Sequence, residues 1–160
     1  MLNLCPLNLT GSVQKGVKPA ELVKLEKKCL ECLERYPDLN LYELGRDFYL
    51  AYRIKQLKRS ITRPCAGEIL LSLGYTLDLK IDLAVLRARF LSQCPPEIGF
   101  FLGYPVKDVL GFMGFDSFSF VCTLGWRIYE PVEPSLKLYN LYKKAKNADN
   151  RNLVLCERDK

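Results

Sequence analysis

The clearest periodicity in the chain lies near its end. Phe118, Phe120, Cys122, Leu124, Trp126 and Ile128 alternate with Ser119, Val121, Thr123, Gly125, Arg127 and Tyr129. A period of two predicts one strand over 118–129. Earlier, Leu22, Leu25, Cys29, Leu33 and Tyr36 recur at helical spacing after Pro19, whose fixed φ suits a first helical position, and Pro37-Asp38 ends the run. This pattern predicts a helix over about 19–36 with one buried face. Residues 39–44 and 48–54, joined through Gly45-Arg46-Asp47, read as a β-hairpin. A basic helical turn follows around Lys55 to Ser60, then a short helix from about Pro64 to Leu73 closed by Gly74.

Asp78 is placed to cap the next helix, which carries Leu79, Leu83, Leu86 and Phe90 on one face. Two short helices then flank Gly103, one opened by Pro95-Pro96 and one by Pro105 with Asp108 in its first turn. A last helix over about 134–146 presents Leu138, Leu141, Tyr142 and Ala145. The first eighteen residues, with Gly11, Ser12 and Gly16, read as a loop or extended arm. The tail, 148–160, reads as a frayed strand over Asn152 to Glu157 or as disorder. Together these elements predict a single α+β domain spanning 1–160, a small, mainly antiparallel sheet packed with five to six short helices.

Composition narrows the function classes. At 160 residues, 49% of them hydrophobic and 26% charged, the chain is large enough to bury a core without staples. No apolar run reaches membrane-spanning length, and the first residues lack a secretory pattern, so a cytoplasmic protein with reduced cysteines is expected. There is no histidine. Ser-His and Cys-His nucleophiles are thereby excluded, along with the commonest transition-metal ligand.

The net charge of +6 is local. Residues 48–67 hold Arg53, Lys55, Lys58, Arg59 and Arg63 without an acid, and 136–148 hold Lys137, Lys143, Lys144 and Lys146. Such runs are commonly solvated helix faces, but they can meet an anionic partner. Nucleic acid, approached by Arg87, Arg89 and the 53–63 run, is disfavoured because no recognised binding motif accompanies them.

The segment Pro96-Glu97-Ile98-Gly99-Phe100-Phe101-Leu102-Gly103-Tyr104-Pro105-Val106-Lys107-Asp108-Val109-Leu110-Gly111-Phe112 precedes Gly125-Trp126-Arg127-Ile128-Tyr129 and a closing helix with spaced aromatics. With Gly16-Val17-Lys18-Pro19-Ala20-Glu21-Leu22 and Tyr52-Arg53, these motifs resemble a bacterial family of uncharacterised proteins, domain-of-unknown-function family 3793. The resemblance spans most of the chain and implies no activity. Pro96 stands where the family's motif usually has histidine, so chemistry resting on that histidine in relatives is not expected here.

Gly103 is suited to close one helix in a left-handed conformation while Pro105 opens the next. The corner reads first as packing by Phe100, Phe101 and Phe112, and second as an anion site at the free amides of the following helix. In that second reading Gly103, Tyr104 and Lys107 would meet the ligand, with Arg53 and Arg127 offsetting the negative charge of Glu97 and Asp108. The CxxC pair Cys29 and Cys32 falls inside the predicted helix and lacks a second cysteine pair, so it reads as core rather than redox or zinc chemistry. Glu97, Asp108 and Glu68 are the only acids suited to proton transfer, and their spacing sets no two across a substrate. The expected function is therefore non-catalytic binding of an anionic small molecule, such as a nucleotide or phosphorylated metabolite, or of a partner protein. A redox- or metal-associated role is the alternative, and no cofactor is identified.

Overall fold

A computed structural model describes residues 5–115 and 117–147. The α+β class expected from the sequence is present, among these residues, as eight helices and two antiparallel sheets. Three strands, β1 (Ala20–Lys24), β2 (Asn40–Gly45) and β3 (Phe48–Tyr52), form a sheet in the order β1-β3-β2. The helices are α1 (Gly11–Gln14), α2 (Lys27–Leu30), α3 (Ile54–Ile61), α4 (Ala66–Ser72), α5 (Leu79–Ser92), α6 (Ile98–Phe101), α7 (Val106–Met113) and α8 (Glu133–Asn147). Strands β4 (Phe120–Leu124) and β5 (Trp126–Tyr129) form a separate hairpin between α7 and α8. No helix among the described residues is long and apolar enough to cross a membrane.

The helix expected over 19–36 is replaced by β1, which pairs with β3 from Ala20↔Tyr52 to Lys24↔Phe48, then by α2 and a 3₁₀ turn over Glu31–Arg35. The physical reason is tertiary. A lone β2–β3 hairpin is marginal in water, and pairing on its free edge outweighs the weak helical preference of the segment. Alternation on β3 then serves two cores. Leu50 belongs to one with Leu44, Leu57, Leu86 and Phe100, while Ala51 belongs to the other with Leu7, Val13, Val23 and Leu25. Residues near the amino terminus are accordingly not an arm: Pro6–Thr10 is a 3₁₀ turn, α1 follows it, and Leu7 and Val13 are fully buried. The tail over 148–160 lies outside the described residues.

The single strand expected over 118–129 is folded back on itself. Gly125, at φ +71°, reverses the chain so that Leu124 pairs with Trp126 and Thr123 with Arg127. Apolar alternation persists through the turn, but only Trp126, Ile128 and Tyr129 are buried; Phe118 and Phe120 remain exposed.

The β2–β3 turn matches its sequence signature. Arg46 and Asp47 both adopt positive φ, at 55° and 65°, as a two-residue type I′ turn requires. Arg46 is not a preferred occupant, and Asp47 stands where glycine is favoured. Replacing Arg46-Asp47 by Asn-Gly is expected to stabilise the fold by about 1 kcal/mol, read as a rise in the urea midpoint at unchanged slope. Asp78 caps α5 as expected, accepting from the Ile81 amide at 3.2 Å.

Candidate functional site

Two acids singled out in the sequence are structural anchors. Asp108, 1% exposed in the first turn of α7, accepts from Trp126 Nε1 at 2.8 Å, the Tyr129 amide at 2.9 Å, Ser135 Oγ at 2.6 Å and Lys107 Nζ at 2.5 Å. One carboxylate thus ties α7 to β5 and to α8. Lys107 is occupied in the same knot, also donating to the Tyr129 carbonyl and to Ser135 Oγ. Glu97 is fully buried, accepting from the Tyr75 hydroxyl at 2.9 Å and pairing with Arg89. Burial, reinforced by this carboxylate, pushes the Tyr75 phenol far above its ordinary range.

The Gly103 corner forms between α6 and α7, with Gly103 at φ +76°. It is closed by packing: its carbonyl accepts from the Tyr142 hydroxyl at 2.7 Å, and Pro19 lies against its Cα. Phe100 and Phe101 are buried there as expected, whereas Phe112 is 52% exposed. Arg53 lies elsewhere, donating to the Gln14 carbonyl at 2.6 Å. Arg63 donates to the Tyr104 carbonyl at 3.0 Å, so the 53–63 run is partly spent on internal backbone. Arg127 sits over the Phe120 ring at 4.4 Å. The five residues grouped in the sequence as a ligand site are therefore not one constellation; Tyr104 and Arg127 share a cavity, and Gly103, Lys107 and Arg53 do not line it.

Two adjoining cavities meet at Tyr104, Gly125 and Trp126. Tyr104 and Trp126 stack at 4.6 Å between ring centroids, inclined by 20°. On one side lies a largely apolar cavity of about 280 Å³ bounded by Pro95, Pro96, Ile98, Val109 and Phe112, with Cys94 and Arg127 also in its lining. On the other lies a cavity of about 380 Å³ lined by Lys18, Glu21, Tyr139, Tyr142, Lys143 and Lys146.

Lys18 is the unusual member. It is 5% exposed, yet it lines an open cavity. Its ammonium donates to Glu21 at 2.7 Å and lies 5.4 Å and 5.6 Å from the ring centroids of Tyr104 and Tyr142. Desolvation lowers its pKa below the usual 10.5, against the opposing pull of Glu21, and Lys146 lowers it further. Burial likewise pushes the Tyr142 phenol up to about 12 and raises that of Tyr104 further, so both tyrosines stay neutral at physiological pH.

Lys18 has no signal of its own in the sequence, where it is one lysine among many beside a proline that suits a helix start. Tyr139, Tyr142, Lys143 and Lys146 do carry one. Their three- and four-residue spacing on α8 places aromatic and basic groups along one face. Elsewhere, Cys29 packs into the second core with Cys32 against it, and Glu68 is exposed on α4. Among the described residues no three His, Cys, Asp or Glu side chains are grouped to hold a metal ion.

A family model described as "Protein of unknown function (DUF3793)" matches residues 8–154. No curated protein and no solved structure matches the chain.

Proposed function

The chain belongs to the DUF3793 family of proteins of unknown function, and because membership transfers no activity, we propose from the cavity itself that the protein binds an anionic small molecule through Lys18. The observation that carries this reading is a buried ammonium, paired with one carboxylate among the described residues, on the wall of an open cavity. An ammonium has three donors. Glu21 takes one, and the tyrosine faces contribute attraction without accepting conventional hydrogen bonds. Burying a charge is costly unless paired, and an incoming anion would recover part of that cost in a site of low dielectric.

Lys143 and Lys146, both exposed, add long-range attraction at the cavity. Three lysines against one glutamate leave its lining positive. The cavity volume, about 380 Å³, falls within the range of small-molecule sites. Among the described residues Glu21 is the one acid in the lining, so no acid pair spans the cavity, and the reading rests on the charge of Lys18 as a binding group.

Calorimetric titration with inorganic phosphate, nucleotides, phosphorylated sugars and simple carboxylates tests the proposal. Saturable binding that weakens with added salt is expected; silence across the panel sinks it. The pH dependence has a defined sign. Anion binding needs the charged lysine, so affinity should fall as pH rises through the pKa of Lys18, which lies below the usual 10.5. Glu21, Lys146, Tyr104 and Tyr142 face the same ammonium. The phenols of Tyr104 and Tyr142 keep their protons across that window and do not contribute to the fall.

A further inference from the structure

The lysine cavity shares its aromatic wall with a second cavity of opposite character. Beyond Tyr104, Gly125 and Trp126, the smaller cavity is bounded by Pro95, Val109 and Phe112. Carbon-rich walls of this kind gain free energy by shedding water onto an apolar group. Asp108 also touches this cavity, but its charge is met there by four donors, so it does not stand as a bare repulsive carboxylate. Arg127 adds a positive rim, held by the Phe120 and Phe112 rings. Gly125 belongs to both linings and places no side chain between them.

Resting on the anion site proposed above, we infer that one ligand occupies both cavities and is a phosphate monoester carrying a short alkyl or aryl group, the phosphate at Lys18 and the apolar group against Val109 and Phe112. The charge follows the lysines. The apolar portion follows the neighbouring walls, and the two cavities share Tyr104, Gly125 and Trp126 in their linings. A purely polar metabolite would leave the smaller cavity in contact with water and gain nothing from it.

The test is a series: inorganic phosphate, then methyl, butyl, hexyl and phenyl phosphate, titrated into the full chain. Trp126 is the only tryptophan in the sequence and stands in the shared wall, so its emission reports the site directly. Each methylene that enters the apolar cavity should raise affinity roughly fourfold, levelling off once the cavity is full. Emission should shift to the blue as water leaves the ring. Lys18→Met should weaken every member of the series.

Equal affinity for phosphate and all its esters would overturn the amphiphile inference while leaving the anion site standing. Affinities that rise with chain length yet are the same in the Lys18→Met variant, or a rise that leaves Trp126 emission unmoved, would place the chains on exposed aromatics such as Phe115 and Phe120 instead and also overturn it. Failure of phosphate and every ester to bind would remove both the inference and the reading beneath it.

Discussion

Asp108→Ala is expected to lower the free energy of unfolding by about 3–5 kcal/mol, the usual cost of removing one partner from a buried ion pair. The effect is large because so many donors depend on one group. The indole of Trp126, the Tyr129 amide, the Ser135 hydroxyl and the Lys107 ammonium all converge on this carboxylate, which is 1% exposed. Alanine leaves the first two, which belong to the buried residues Trp126 and Tyr129, without this acceptor, and each such group costs about 1–3 kcal/mol. Lys107 keeps the Tyr129 carbonyl and Ser135 Oγ as acceptors, but its charge loses the carboxylate paired with it. For a chain of this length the expected fall in Tm is roughly 6–20 °C. Asp108→Asn should fall between, since the amide oxygen still accepts but its NH₂ meets donors. A thermal or urea titration of both variants reads the effect, and a change under about 1 kcal/mol for alanine, no more than one ordinary hydrogen bond, would contradict the anchoring role.

Gly103→Ala carries the second large effect. An L-residue at φ +76° costs about 1–2 kcal/mol. Here the added Cβ would also meet Pro19 Cδ at 2.5 Å and the Tyr142 hydroxyl at 2.7 Å. Overpacking of this kind costs about 1–3 kcal/mol, giving a total of about 2–5 kcal/mol. Gly74 provides the control: it has φ +94° and nothing within 4 Å of the point a Cβ would occupy, so Gly74→Ala isolates the backbone contribution. The difference between the two variants in urea denaturation measures the packing at the corner. Because Tyr142 also lines the lysine cavity, Gly103→Ala should perturb ligand binding as well.

What the chain discloses without its fold depends on how local each decision is. The face of α5, the Asp78 cap, the Arg46-Asp47 turn and the Gly103-Pro105 corner are set within a few residues, and each is legible. Strand β1 is not, because Leu22, Leu25 and Cys29 fit a helix until the open edge of β3 is known. The β4–β5 hairpin is hidden for a different reason. Apolar alternation continues on both sides of Gly125, and a period of two carries no mark of the reversal.

The candidate site is less legible than the fold, since it joins distant segments. Lys18 meets Tyr104 and also Tyr142 on α8. Only the α8 half of that arrangement has a spacing that sequence reasoning could detect. The anion site that the sequence suggests at the first-turn amides of the helix after Gly103 is proposed above for the lysine cavity instead. There the charge is on a buried side chain, and the corner serves to hold Tyr142 in place.

Whether Lys18 is an anion ligand or a core lysine satisfied by Glu21 is read most directly by calorimetry of the wild type and Lys18→Met, side by side against the tightest phosphate-bearing ligand of the panel. A charge-assisted hydrogen bond in such a site is worth about 1.5–3 kcal/mol, so the methionine variant, still folded by circular dichroism, should bind roughly 10- to 150-fold more weakly. Equal affinity in the two proteins would contradict the ligand role and, with it, the proposed function.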